Sequence, residues 1–231
     1  MTFRSDGYAV FPAGLTDEAL RGLLALSHRH EAASRPGDGR TWGERQLHDV
    51  ATPAPAEMLT AAARAWIAGL GFAARWRDLE PDMAHPQLTY SFQVASPVTL
   101  ALREHTDGLW PRDSDRVARS EFLLGTILED VPSLAHGPYV CWPGSHREAI
   151  DHLDALSADD VADGFRTLPD GRGRPMPILG RAGDIVVAHR LLRHGTAPRA
   201  FPGVRRMAFF RLGHRMLPAG TRVRDSAMTQ L

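Results

Sequence analysis

The sequence predicts an α+β, mainly β fold: helices gathered in the first part of the chain, packed beside a barrel-like set of strands. Two observations carry this. Helical periodicity dominates the first 80 or so residues, and from about Gln87 onward the pattern changes to short apolar segments separated by Gly and Pro. Helices followed by a run of strands indicate segregated layers rather than alternating βαβ units.

In chain order, GYAVFP has strand character. In TDEALRGLLALSHRHEAA, Leu20, Leu23, Leu24 and Ser27 form one helical stripe. Thr16 stands where an N-cap is needed, with Asp17 and Glu18 in the first turn, where carboxylates favour unpaired N–H groups. RPGDGRTWG reads as a loop, and Trp42, Arg45 and His48 as loop residues able to close over a barrel mouth. APAEMLTAAARAWIAGLGF reads as a second helix stopped at Gly69 or Gly71. QLTYSFQV alternates strictly: Gln87, Thr89, Ser91 and Gln93 on one face, Leu88, Tyr90, Phe92 and Val94 on the other. Period two over such a stretch marks a strand. EFLLGTILEDV, PYVCWPG, DIVVAHRLL and RRMAFFRLG follow as further strands, and SADDVADGF as a short inserted helix. With no repeat and no long linker, the expectation is one domain over residues 1–231: a mainly helical flank over 1–80 and a β core over 85–215.

Composition narrows the function classes. The 231 residues are 43% hydrophobic and 23% charged, enough apolar material for a full core. Formal net charge is zero, so no overall field favours nucleic acid or an anionic membrane. Cys141 is the one cysteine, which rules out a disulfide framework and fits a reducing compartment. No run approaches the roughly 18 apolar residues of a membrane span, and the first segment has Asp6 early and no signal-like apolar run. The expected setting is the cytoplasm, as a monomer or homodimer. The chain holds no lysine, so all 27 basic residues other than histidine are arginine. That removes Schiff-base chemistry and the phosphate-loop lysine. An anionic ligand would be held by arginine, histidine, hydroxyls or backbone.

The stretch LREHTDGLW is the chemically unusual one. His105 and Asp107 stand two apart inside an apolar run, and a buried carboxylate is costly unless paired or bound to metal. Either this is a solvated loop, or a cation sits between the side chains. If the stretch is extended, i and i+2 project to the same side, and imidazole plus carboxylate suits a divalent first-row metal. A third histidine would complete a facial triad. In GDIVVAHRLLRHGTAPRAFPGVRRMAFFRLGH, His194 is expected to end a strand before Gly195, and Arg205 opens the next strand eleven positions on. An arginine there is placed for bidentate contact with a carboxylate.

These blocks resemble the phytanoyl-CoA hydroxylase family of iron(II)- and 2-oxoglutarate-dependent oxygenases. FRSDGYAVFPAGLTDEALRGL is similar to the family's opening strand and helix, HTDG to its His-x-Asp, HGPYVCWPGSHRE to its Gly-Pro…Pro-Gly-Ser-His element, and GDIVVAHRLLRHGTAPRAFPGVRRMAFF to its distal histidine and cosubstrate arginine. The resemblance implies a double-stranded β-helix (a cupin-like jelly roll) with flanking helices, using Fe(II), 2-oxoglutarate and O2 to hydroxylate a small-molecule metabolite or natural-product intermediate. It implies that His105, Asp107 and His194 bind iron, that Arg205 binds the far carboxylate of 2-oxoglutarate, that Gln87 lies near cosubstrate or substrate, and that Thr196 is the small hydroxyl after the distal His-Gly. His136 departs from the usual Asn before Gly-Pro, and residues 150–180 match nothing in the family pattern. Related halogenases carry Gly or Ala where Asp107 stands, so the carboxylate favours hydroxylation, with desaturation or ring closure as variants. The competing classes are a cupin-like metalloenzyme that does not use 2-oxoglutarate and a barrel that only binds a small molecule. The arginine spacing and the PGSH block weigh against the first, the complete residue set against the second.

Some positions compete. His189 is the alternative distal ligand, its other readings being a buried, hydrogen-bonded histidine or a group that supports a metal ligand from behind; the Gly-Thr after His194 and its spacing to the arginine favour His194. Arg206, and less so Arg211, compete with Arg205, because adjacent strand residues face opposite ways. Gln87 and Gln93 line a polar lumen or a solvated face. His146 stands on a turn near the mouth or is simply exposed, and Trp110 walls the substrate pocket or packs.

Overall fold

Helix α2 (Asp17–Ser34) forms where the sequence places it. The Ala19 N–H donates to Thr16 Oγ1 at 3.3 Å, the expected N-cap bond. Its buried stripe is Ala19, Leu23, Leu26 and Ser27; Leu20 and Leu24 are half-buried. The inward face is thus turned slightly from the predicted one. The computed structural model describes residues 3–34, 42–46, 79–91, 104–106, 120–155 and 173–214. The predicted helix at 54–72, the SADDVADGF segment, and Asp107, His48, Gln93, Trp110 and Phe92 lie outside them.

Two antiparallel sheets make up the β core. The larger contains β1 (Tyr8–Phe11), β2 (Trp42–Gln46), β3 (Leu79–Ser91), β4 (Ser120–Ile127), β7 (Ile185–His189) and β9 (Arg205–His214), in the order β1-β7-β4-β9-β3-β2. The smaller contains β5 (Tyr139–Cys141), β6 (Met176–Ile178) and β8 (His194–Thr196), in the order β6-β5-β8. From β4 onward the chain passes between the sheets repeatedly, which is the double-stranded β-helix, or jelly-roll, arrangement. The core lies between them: Leu123, Ile127, Val186, Ala188, Met207 and Phe209 from the larger sheet against Tyr139, Cys141 and Ile178 from the smaller. The other face of β4 and β7, with Phe122, Leu124, Ile185 and Val187, is buried too. This explains why these strands read as unbroken apolar runs. Helix α1 (Phe3–Asp6) covers part of that face, with Phe3 and Phe122 ring centroids 5.7 Å apart.

Four local expectations need correction. Trp42 and Arg45 are in strand β2, not a loop: Trp42 pairs with Ser91 and Gln46 with Gln87. The strand that QLTYSFQV announces starts earlier, at Leu79, because a register shift between Asp82 and Gln87 absorbs Pro86, which has no N–H for the ladder. His194 opens β8 rather than ending a strand. β7 stops at His189, whose carbonyl accepts the Leu192 N–H at 2.9 Å in a tight turn that carries the chain into the other sheet. His146 is neither on a turn nor exposed: it lies in helix α3 (Ser145–Asp154) and is buried.

Candidate metal and anion site

β8 positions the first of the two groups that matter. His194 exchanges backbone bonds with His105, N–H to C=O in both directions at 2.8 Å, an antiparallel bridge that continues the smaller sheet. The two imidazoles sit side by side, centroids 4.3 Å apart. His194 Nδ1 lies 2.8 Å from the Leu192 carbonyl. A carbonyl only accepts, so Nδ1 carries the proton and Nε2 keeps its lone pair, the tautomer a metal ligand needs. Tyr139 stacks on the same ring at 5.2 Å and fixes its plane. His105 is exposed while His194 is buried, so the pair reaches from the surface into the interior. Asp107 lies outside the described residues, and among those no group of three metal-binding side chains occurs.

Thr196 lies two residues past His194 on β8, hence on the same face and about 6.5 Å along the strand. Its Oγ1 accepts a bond from Arg205 Nη2 at 3.1 Å. Arg205 is only 5% exposed, and its Nε and Nη1 have no acceptor among the described residues. Burial first, and the Arg199 guanidinium second, push its pKa down to about 10. It stays charged at neutral pH, as a desolvated cation on the inner face of β9. An unpaired buried charge is among the costliest arrangements in a protein, and a carboxylate there would remove the cost. The donor set therefore fits an anion bound between Arg205 and the histidines, of the size of a short dicarboxylate.

The neighbouring residues do different work. β9 alternates, so Arg205, Met207 and Phe209 share the inner face. Arg206 turns the other way and pairs with Glu129 at 2.5 Å. In backbone register, Gln87 stands opposite Phe209 and Ser91 opposite Arg205. Cys141 is buried, and burial with nearby Asp6 pushes its thiol up to about 12, an unreactive state. Sequence reasoning passed over Tyr139, whose only signal was its place in an apolar strand. It also passed over the pairing of Glu104 with Arg193 at 2.6 Å.

His189 is buried with its ring 5.1 Å from that of His146. Its Nδ1 accepts the Leu191 N–H at 3.0 Å, so the proton sits on Nε2, which has no partner among the described residues. Burial, then His146 and Arg190, hold its pKa well below the usual histidine value. The folded state therefore keeps His189 neutral while the unfolded chain takes up a proton below about pH 6.5. Stability from this source is complete above that pH and is lost as pH falls below it. Chemical denaturation from pH 7.5 to 5 should show stability dropping by up to about 1.4 kcal/mol per pH unit. His189→Asn, which keeps an acceptor for Leu191 and cannot titrate, should flatten that slope. An unchanged slope would assign it to other groups.

No curated protein matches the chain in sequence. Solved structures do match in fold. The epimerase SnoN, in complex with Fe3+, α-ketoglutarate and nogalamycin RO, aligns with a TM-score of 0.60 at 17% identity, over 94% of this chain and 84% of its own. The non-heme α-ketoglutarate-dependent carbocyclase SnoK, from nogalamycin biosynthesis, aligns at 0.61 and 18%, over 99% and 88%. HygX from Streptomyces hygroscopicus, with nickel, 2-oxoglutarate and hygromycin B bound, aligns at 0.58 and 15%, over 94% and 86%. At such identities the likeness is one of fold. The sequence itself is more specific, because residues 3–207 match the family model of phytanoyl-CoA dioxygenase (PhyH). With nine-tenths of its length matched, and with a jelly roll that sets a histidine pair beside a buried arginine, the chain belongs to the phytanoyl-CoA dioxygenase (PhyH) family.

Proposed function

We propose that the protein is an Fe(II)- and 2-oxoglutarate-dependent oxygenase that hydroxylates an unactivated C–H bond of a small metabolite or natural-product intermediate. The observation that carries the reading is Arg205, a buried guanidinium two of whose nitrogens have no acceptor among the described residues, placed beyond Thr196 from the His105–His194 pair. In this reading His105, Asp107 and His194 hold the ferrous ion. Arg205 and Thr196 hold the far carboxylate of 2-oxoglutarate, and Gln87 lies near cosubstrate or substrate. The iron, with 2-oxoglutarate and O2, supplies the oxidising power when bound. The chain's own share is positioning. Leu192 fixes the His194 tautomer, Tyr139 its plane, Arg205 the cosubstrate's orientation, and the apolar wall of Tyr139, Met207 and Phe209 keeps water away from the reacting centre. The small-molecule ligands bound in the SnoN and HygX structures support a natural-product substrate.

A second outcome has a specific reason behind it: SnoN is an epimerase and SnoK a carbocyclase, so hydrogen removal on this fold need not end in oxygen insertion. Product masses decide. Incubation with Fe(II), 2-oxoglutarate and a metabolite panel in chloride buffer should yield succinate and a product heavier by one oxygen. Loss of two hydrogens would replace hydroxylation by desaturation or ring closure, and unchanged mass with an inverted centre by epimerisation. A chlorinated product would overturn the role given to Asp107, a carboxylate where related halogenases carry Gly or Ala.

A further inference from the structure

We propose that the ion pair between Glu104 and Arg193 is a clamp that holds the two histidine-bearing segments in register and so sets the metal affinity of the site. The proposal rests on the reading of His105 and His194 as metal ligands. Glu104 immediately precedes His105, and Arg193 immediately precedes His194. Their side chains meet at 2.6 Å and are 27% and 11% exposed. Because side chains alternate along an extended chain, these two project away from the face that carries the imidazoles. They tie the segments together from behind and do not compete for the ion.

Arg193 itself is held firmly. Its N–H donates to Ser145 Oγ at 2.9 Å, Ser145 Oγ–H donates to the Trp142 carbonyl at 2.7 Å, and the Trp142 N–H donates to the Arg193 carbonyl at 3.0 Å. That closed set fixes Arg193, and with it His194, to the junction of β5 and α3. Glu104 ties the other segment to this fixed point. His105 is bridged to β8 by backbone bonds at an exposed rim, where water competes for such bonds. A short, charge-assisted bond, screened on its Arg193 side, adds a constraint water does not supply. Two imidazoles already in register bind an ion without first losing the freedom of one strand, and that preorganisation is the source of the affinity.

The test separates tethering from charge. Removing Glu104 alone also leaves the Arg193 cation near a divalent ion. The double variant Glu104→Ala/Arg193→Met removes both charges and keeps the wild-type local net charge. Cobalt(II) is titrated anaerobically into the metal-free protein, followed by its d–d absorption, with thermal unfolding of the metal-free forms recorded alongside. Glu104→Ala and the double variant should each bind cobalt about tenfold more weakly, or 1.4 kcal/mol. Glu104→Asp, which keeps a carboxylate, should recover most of the loss. Glu104→Asp keeps both charges of the half-buried pair, so its comparison with Glu104→Ala stands whatever Arg193→Met does to folding, and the unfolding curves show which metal-free variants are folded. A merely structural pair would lower the unfolding temperature of the metal-free protein and leave cobalt affinity alone; that result overturns the clamp. Cobalt binding that weakens in Glu104→Ala but not in the double variant also overturns it, in favour of a plain charge effect. Wild-type protein that takes up no cobalt overturns the metal-site reading, and the clamp with it.

Discussion

His194→Ala is expected to abolish iron binding and turnover. The imidazole is buried, its Nδ1 proton is committed to the Leu192 carbonyl, and its plane is set by Tyr139. In this tautomer Nε2 is the ring nitrogen that carries the lone pair a metal would take. Truncation also leaves the Leu192 carbonyl without its donor. Loss of a supporting group around a metal ligand typically costs 10–100-fold in affinity, so loss of the ligand should exceed about 100-fold. His105→Ala and Asp107→Ala should behave alike. His189→Ala should keep its iron, because that ring faces His146 and its Nδ1 serves the Leu191 N–H. Elemental analysis after anaerobic reconstitution checks the set. Iron lost from the His189 variant and kept by the His194 variant would move the ligand to position 189.

What the sequence makes legible depends on whether a signal is local. α2 shows itself through Thr16 and a stripe of leucines because helical contacts recur within one turn. β4, β7 and β9 are visible as apolar runs because both faces of the larger sheet's centre are buried. β2 is not visible: Trp42–Gln46 has no alternation of its own and is a strand through its pairing with β3. The same limit hides the end of β7, since whether His194 closes one strand or opens another depends on which sheet receives it. The jelly roll itself came from the resemblance, not from periodicity. The chemistry divides likewise. HTDG, HGT and the paired arginines are short, ordered motifs. Glu104 and Arg193 stand 89 residues apart, and Tyr139 meets His194 only across β5 and β8, so nothing local announces either contact. Alternation says that Arg205 and Arg206 face opposite ways. It takes Glu129 on one side and Thr196 on the other to say which guanidinium is already paired.

Arg205→Ala is expected to weaken 2-oxoglutarate binding by about 2–5 kcal/mol, as for a broken buried charge pair, with iron binding intact. The size follows from the surroundings. The guanidinium is almost fully desolvated, Arg199 disfavours its charge, and two of its nitrogens lack acceptors among the described residues. A carboxylate placed there gains a short, unscreened bond and offsets the desolvation cost of the buried cation. Arg206→Ala removes the partner of Glu129 instead and should lower stability without touching cosubstrate affinity. The decisive measurement is anaerobic titration of 2-oxoglutarate into the iron-loaded wild-type, Arg205→Ala and Arg206→Ala proteins, read by the iron–2-oxoglutarate charge-transfer absorption. The account predicts saturable binding in wild type and Arg206→Ala and a severe loss in Arg205→Ala; equal affinity in all three, or no absorption band in wild type, would contradict it.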